Sequence, residues 1–272
     1  MINTLEKIDR AGHGAVRIVA ELSLIVLLCA GFSVTWYDSA MAQDDGAVWL
    51  QRIDAAERVP HSYGIMRQTI TTSGGSLRTF TVRSWSAQSG DVSLMAYDEP
   101  ARVAGDKILM LDGGDNIWYY MRRRDVTRHF AGHTRNQSAM GSDFSYEDLA
   151  QGDLTEDYTA ELRGEEDLDG TMCVKLLAVP TPSGPSYDSL YIWASVDDQI
   201  SRRIEYFEND ENIKTLFLTD LRIVDNRKTA FKMEMVNHHE GSRTVLETVE
   251  VTFTEEPDPS LFTRAALTRR IR

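Results

Sequence analysis

Residues 105–149, GDKILMLDGGDNIWYYMRRRDVTRHFAGHTRNQSAMGSDFSYEDL, decide how the rest of the chain is read. Two short apolar runs, Lys107–Leu111 and Ile117–Met121, flank Asp112-Gly113-Gly114-Asp115-Asn116. Glycine, aspartate and asparagine tolerate positive φ, so the pair predicts a β-hairpin. A burst of arginines follows (Arg122, Arg123, Arg124, Arg128, Arg135) and reads as a solvated loop or a basic rim. The stretch closes on Gly141-Ser142-Asp143-Phe144-Ser145-Tyr146-Glu147-Asp148-Leu149. Here Asp143 is the expected N-cap of a short helix over residues 144–150.

Outward from this stretch the pattern is almost wholly β. Before it come the runs 63–71, 77–85 and 92–97, the first two flanking the turn Ser73-Gly74-Gly75. After it come 159–162, 172–179, 189–194, 200–207, 214–221, 231–237 and 245–253. Several alternate cleanly: Phe231, Met233 and Met235 share one face while Lys232 and Glu234 take the other. Eleven or twelve consecutive strands at hairpin spacing imply one large antiparallel sheet rather than βαβ units. A sheet of that size has to curl. Two helices are expected besides the one after Asp143. One spans residues 47–58, with Trp49, Leu50, Ile53 and Ala56 on one face, Asp44 or Asp45 as cap and Pro60 as stop. The other spans residues 260–268, with Asp258 as cap and Pro259 at its first position.

The ends and the composition narrow the function. Lys7, Arg10 and Arg17 precede an apolar run over residues 22–34, and Ala40-Met41-Ala42 then offers small residues for signal peptidase. The expectation is a cleaved signal peptide over 1–42, with the cut between Ala42 and Gln43, and one domain over 43–272 exported to the periplasm. Leu28 before Cys29 is too bulky for a lipoprotein cleavage site. The whole chain carries 29 basic and 42 acidic residues, a net charge of −13. Such a balance argues against a nucleic-acid partner, which needs a basic face. Beyond the leader Cys173 is the sole cysteine, expected as a small buried hydrophobe.

An aromatic-rich strand, then basic residues, then Gly-Ser-Asp-Phe with a downstream Glu-Asp-Leu resembles a bacterial family: the LolA-like outer-membrane lipoprotein-sorting proteins, in the branch that carries this segment. The resemblance runs from about Tyr63 to about Leu267. It implies a mainly β (α+β) fold, a strongly curved antiparallel sheet of about 11 strands forming an incomplete barrel covered by a few short helices. It also implies a cavity between sheet and helices that takes lipid or lipoprotein acyl chains, an inner-membrane exporter as partner, and only transient membrane contact. The chain departs from LolA itself in length and in its central loop, so LolA's contact residues are not carried over.

Chemistry is not visible in the sequence. His129 and His133 have the i, i+4 spacing of a metal site, but Phe130 stands where a zincin motif needs glutamate and Gly132 disfavours a helix. Asp112 to Asn116 lacks the spacing of a calcium loop. Ser142 beside Asp143 is the one suggestive nucleophile, without the trailing glycine of a nucleophile elbow. The reading is a carrier with no metal, no cofactor and no enzymatic activity. Its rivals are an interaction module with a filled core, and a hydrolase using Ser142 or the histidines. Candidate cavity residues are Trp85, Met95, Met110, Trp118, Tyr120, Phe144 and Tyr146, with Arg122, Arg124 and Arg128 as a basic rim. Because the strand 117–121 runs straight into the arginines, Trp118 is expected to face the apolar interior.

Overall fold

A computed structural model describes residues 45–150 and 152–271. The leader, its Ala42/Gln43 junction and the candidate cap Asp44 lie outside the described residues. Within them, α1 (residues 45–57) places Leu50 and Ile53 in the core and ends three residues before Pro60. Thirteen strands follow in one antiparallel sheet. Those before the central stretch are β1 (Ser62–Thr71), β2 (Leu77–Ala87) and β3 (Val92–Glu99). The stretch supplies β4 (Lys107–Leu111), β5 (Asn116–Met121) and β6 (Val126–Phe130). After it come β7 (Tyr158–Leu168), β8 (Thr171–Pro180), β9 (Ser189–Ser195) and β10 (Ser201–Glu208). The last three are β11 (Glu211–Val224), β12 (Arg227–Asn237) and β13 (Ser242–Thr252).

The spatial order is β6-β5-β4-β3-β2-β1-β13-β12-β11-β10-β9-β8-β7. All strands adjacent in sequence are paired except β6 and β7, which end the sheet, and β1 pairs with β13 as well as with β2. The two halves therefore meet at β1 and β13, and the sheet does not close. The expected hairpin over 112–116 is present: Lys107 pairs with Tyr120 and Leu111 with Asn116, around positive-φ Asp112, Gly113 and Gly114.

Strand alternation sorts the side chains onto two faces. The inner face carries two apolar fields. One, from β7 to β13, includes Val174, Leu176, Ile192, Tyr206, Leu216, Met235 and Leu246, and takes Leu50 and Ile53 of α1. The other, from β1 to β5, includes Phe80, Val82, Met95, Tyr97, Ile108, Met110 and Ile117. The outer face has a smaller cluster, Trp85, Leu94, Ala96, Leu109 and Tyr120, under Leu267 near the C-terminus.

Several expectations need correction. The structure has 13 strands, not about 11; β6 falls in the arginine stretch read as loop. It pairs only with β5, and its residues Val126 to His129 are exposed, so no burial alternation marks it. The helix expected over 144–150 is the single turn α2 (Tyr146–Leu149), and Ser145 caps it instead of Asp143. Ser145 Oγ accepts from the Asp148 amide at 3.1 Å while Asp148 Oδ2 accepts from the Ser145 amide at 2.7 Å, a reciprocal capping box. Another single turn, α3 (Leu154–Asp157), is capped by Asp153. The helix expected over 260–268 is two 3₁₀ turns, Pro259–Phe262 and Arg264–Ala266, the first capped by Asp258 as expected. Cys173 is free and buried.

Candidate functional site

Between β6 and β7 the chain crosses the inner face as a clasp of short turns, residues 131–157. The Gly-Ser-Asp-Phe segment fastens its middle. Gly141 adopts a left-handed φ of 70°, and its carbonyl accepts from Arg78 Nη2 of β2 at 2.8 Å. A Cβ at Gly141 would stand 3.2 Å from that guanidinium, so glycine serves both the turn and the close approach. The next anchor is Asp143, buried against β13, which lies seventh in the sheet. Its amide donates to Thr244 Oγ1 at 2.9 Å, Thr244 Oγ1 donates to its Oδ2 at 2.6 Å, and Ser242 Oγ donates to its Oδ1.

Two aromatic side chains then go opposite ways. Phe144 enters the β7–β13 field and Tyr146 enters the β1–β5 field, where Phe130 stacks on it at 4.6 Å. Leu149 packs against both fields. Last comes Asp148, whose Oδ1 accepts from Tyr187 Oη at 2.8 Å and whose Oδ2 is paired with Lys214 Nζ of β11. The pair is buried, and the Lys214 ammonium also lies 4.7 Å from the Tyr187 ring and 4.8 Å from the Tyr206 ring. Burial and the Asp148 charge push the Tyr187 phenol far above its usual range, so it stays a hydrogen-bond donor. The clasp is thus held on the inner face by polar contacts at its centre and apolar plugs on either side.

Beside the clasp opens a cleft of about 480 Å³. Its walls are the turns after β2 and β4, the end of α1, the α2–α3 region and the loop 183–185. The turns contribute Asp91, Asp112 and Asp115; the clasp contributes Glu147, Asp153, Glu156 and Asp157. Among the described residues two cations line the cleft with them. Arg58 donates to Ser89 O at 2.9 Å and is paired with Asp153, and Arg135 Nη1 donates to Asp115 at 2.6 Å. Burial raises the Glu147 carboxyl. It pushes Asp157 up to about 6, with Arg135 opposing and Asp153, Asp115 and Glu156 reinforcing.

A protein-family model described as "Uncharacterized protein" matches residues 89–269. A DUF1329 family protein from Desulfovibrio piger superposes with a TM-score of 0.78 at 27% identity, covering 83% of this chain and 99% of its own. The chain belongs to this uncharacterized family, and its fold is LolA-like. A putative outer membrane lipoprotein-sorting protein domain from Vibrio parahaemolyticus has a TM-score of 0.76 at 23% identity, covering 84% of this chain and all of that one. A LolA superfamily protein from Nitrosomonas europaea has a TM-score of 0.68 at 17% identity, covering 80% and 97%. Among curated proteins none matches the sequence.

On this LolA-like sheet the seven residues expected to line one cavity are divided. Met95, Met110 and Tyr146 belong to the β1–β5 inner field and Phe144 to the other inner field. Trp85, Trp118 and Tyr120 lie on the outer face, packed against the C-terminal segment with Leu261, Phe262 and Leu267. Trp118 therefore does not face the inner fields. Its ring stacks on His129 at 4.0 Å, and the Arg264 guanidinium lies 4.0 Å from its centroid. Beneath that segment, buried Lys107 Nζ donates to the carbonyls of Ala266 at 2.7 Å and Leu267 at 3.0 Å, and to that of Arg269. The alternation in β5 was legible; which face the C-terminal segment would cover was not.

Of the rim candidates, Arg128 pairs across from Tyr119 on β6, and its charge acts on the Tyr146 phenol. Arg124 acts on Tyr119 in the same way. Arg122 turns back, its amide donating to Asp106 at 2.8 Å and its Nη1 to Ala104 O at 3.4 Å. Ser142 is buried and its hydroxyl donates to Phe144 O at 3.2 Å. His129 Nε2 lies 2.9 Å from Asn116 Oδ1. Among the described residues no three His, Cys, Asp or Glu side chains are placed to hold a metal ion. No described helix is long and apolar enough to cross a membrane.

Sequence reasoning missed the Lys214–Asp148–Tyr187 anchor and the acidic cleft. For the anchor one signal was available: Lys214 shares its strand face with Leu216 and Leu218, two apolar residues of the inner field.

Proposed function

We propose that this protein is a periplasmic, non-catalytic carrier for lipid or lipoprotein acyl chains, received on the inner face of the sheet when the clasp lifts. The observation that supports the reading most is the way the clasp is built. It covers two broad apolar fields, yet its middle is fastened by Asp143 to β13 and by Asp148 to Lys214. A buried ion pair adds little stability over a well-packed apolar pair, whereas its separated partners regain hydration. Polar fastening therefore suits a cover that opens, and Phe144, Tyr146 and Leu149 fill the apolar fields while it is shut.

Energetics argue for such a device. Moving an acyl chain of about fifteen methylenes into water costs roughly 12 kcal/mol at ~0.8 kcal/mol per group. A soluble trough lowers that barrier without chemistry. Likeness to a lipoprotein-sorting domain and to a LolA superfamily protein supports the same use of the fold. In this reading an inner-membrane exporter delivers the cargo and the outer membrane receives it, with membrane contact only at transfer. Arg124 and Arg128, near Tyr119 and Tyr146, flank the β6 end of the inner face and suit an anionic headgroup there.

One feature favours the rival, an interaction module with a filled core: Ile108, Leu176 and Met235 are already fully buried with the clasp shut. Native mass spectrometry of protein purified from an envelope extract separates the two. A bound lipid or acylated peptide is the expected result; protein that carries none, and takes up none from micelles, favours the filled-core module.

A further inference from the structure

Glu147 stands at the first turn of α2 with 8 % exposure. Its Oε2 accepts from Ser186 Oγ at 3.0 Å, but its Oε1 is enclosed and has no hydrogen-bond partner among the described residues. Arg135 Nε is in the same condition, although Nη1 of that guanidinium is engaged with Asp115. Both side chains line the acidic cleft, and the Arg135 charge acts on Glu147 and on Asp157. Buried polar atoms in native proteins are almost always paired, because desolvation without a partner is costly. An acceptor and a donor without partners, on two side chains that line one cleft, call for a ligand that offers both partners.

The charge says which kind. The cleft holds seven carboxylates against two guanidiniums, and both guanidiniums are already paired with carboxylates. The excess is negative, so the missing group is cationic. It is not a metal ion, since no three ligating side chains are suitably placed among the described residues. An ammonium donates three hydrogen bonds and tolerates irregular carboxylate placement. An oxygen beside it would accept from Arg135.

We propose that the cleft binds a small primary amine with a neighbouring oxygen, an amino alcohol, its ammonium on Glu147 and Asp157 and its oxygen on Arg135. The source is either a free amino alcohol or the ethanolamine headgroup of a phospholipid. This site goes beyond acyl carriage and does not require the clasp to move. Because burial holds Asp157 partly protonated near pH 6, affinity rises as pH is raised through that range and the carboxylate forms.

Calorimetric titration of the full chain with ethanolamine at pH 7.5 and fixed ionic strength tests the site, with tetramethylammonium as a cation that has no N–H. Saturable one-site binding of ethanolamine is expected, at least tenfold weaker in Glu147→Gln and in Asp157→Asn, with no saturable heat from tetramethylammonium. Circular dichroism checks folding, and Asp157→Asn carries the test alone should Glu147→Gln fail to fold. Flotation with phosphatidylethanolamine vesicles against phosphatidylcholine vesicles names the source. Flotation lost in the variants assigns the headgroup, and binding of free ethanolamine without flotation assigns a soluble amine. No saturable heat with ethanolamine, equal affinity in the folded variants, or equal binding of tetramethylammonium overturns the proposal. None of these results bears on acyl-chain binding.

Discussion

Asp143 and Thr244, 101 residues apart, hold each other by two hydrogen bonds. The Asp143 amide donates to the Thr244 hydroxyl, and the hydroxyl donates back to the Asp143 carboxylate. A segment that reads locally as a helix cap is thereby a rivet between the clasp and the middle of the sheet.

Replacing Asp143 with alanine should accordingly cost about 2–3 kcal/mol, because the buried Thr244 hydroxyl and the half-buried Ser242 hydroxyl lose a charged acceptor. Ser145→Ala, which removes the true cap of α2, should cost about 1 kcal/mol. Urea denaturation of both variants checks the order. Equal losses would mean that the rivet carries no more than a cap does.

The Lys214–Asp148 pair predicts strong asymmetry. Lys214→Met leaves Asp148 buried without its cation and should cost about 3–5 kcal/mol. Adding Asp148→Asn should restore most of that loss, since the uncompensated charge is gone. A double-mutant cycle by thermal denaturation measures the coupling; additive losses would show that the pair is not coupled.

Asp157 sets a pH dependence. Its carboxyl is raised from its ordinary value to about 6 in the folded protein, so this contribution to stability is fully present below about pH 4. It is lost as pH rises through 6, where the folded state must ionise a desolvated acid. Asp157→Asn should raise Tm at pH 7.5 relative to wild type and flatten the change between pH 4 and 6.5. Paired melting curves across that range check it, and an unchanged difference at the two ends would contradict the assignment.

The strands show how much was legible and why the rest was not. Runs such as Phe231–Asn237 announce themselves, because alternate side chains meet different solvents and the sequence records that period. β6 leaves no such record, since it is exposed at the sheet edge and follows a run of arginines that looks like loop. Local chemistry also explains the error at Asp143: a glycine-serine-aspartate turn is a sound cap signal, and its partners on β13 lie far along the chain. The acidic cleft was illegible for a similar reason. Its carboxylates are spread over the turns after β2 and β4, α2 and the α3 turn, where acidic residues are unremarkable, and only the fold gathers them.

Placing Trp118 on the outer face gives a further prediction. Trp118→Ala removes the ring between His129 and Arg264 and should loosen the C-terminal segment, seen as faster proteolysis after residue 258. Affinity for an acyl probe should stay unchanged. A large loss of probe affinity with the segment intact would return Trp118 to the ligand face.

The account stands on the clasp covering a seat for acyl chains, and titration of a fluorescent fatty acid into wild type and Asp143→Ala tests this most directly. Loosening the clasp removes part of the free energy that opening requires, so saturable binding is expected in both, about tenfold or more tighter in the folded variant. Absence of saturable binding in both, with circular dichroism showing folded protein, would contradict the account and leave the sheet as a filled core.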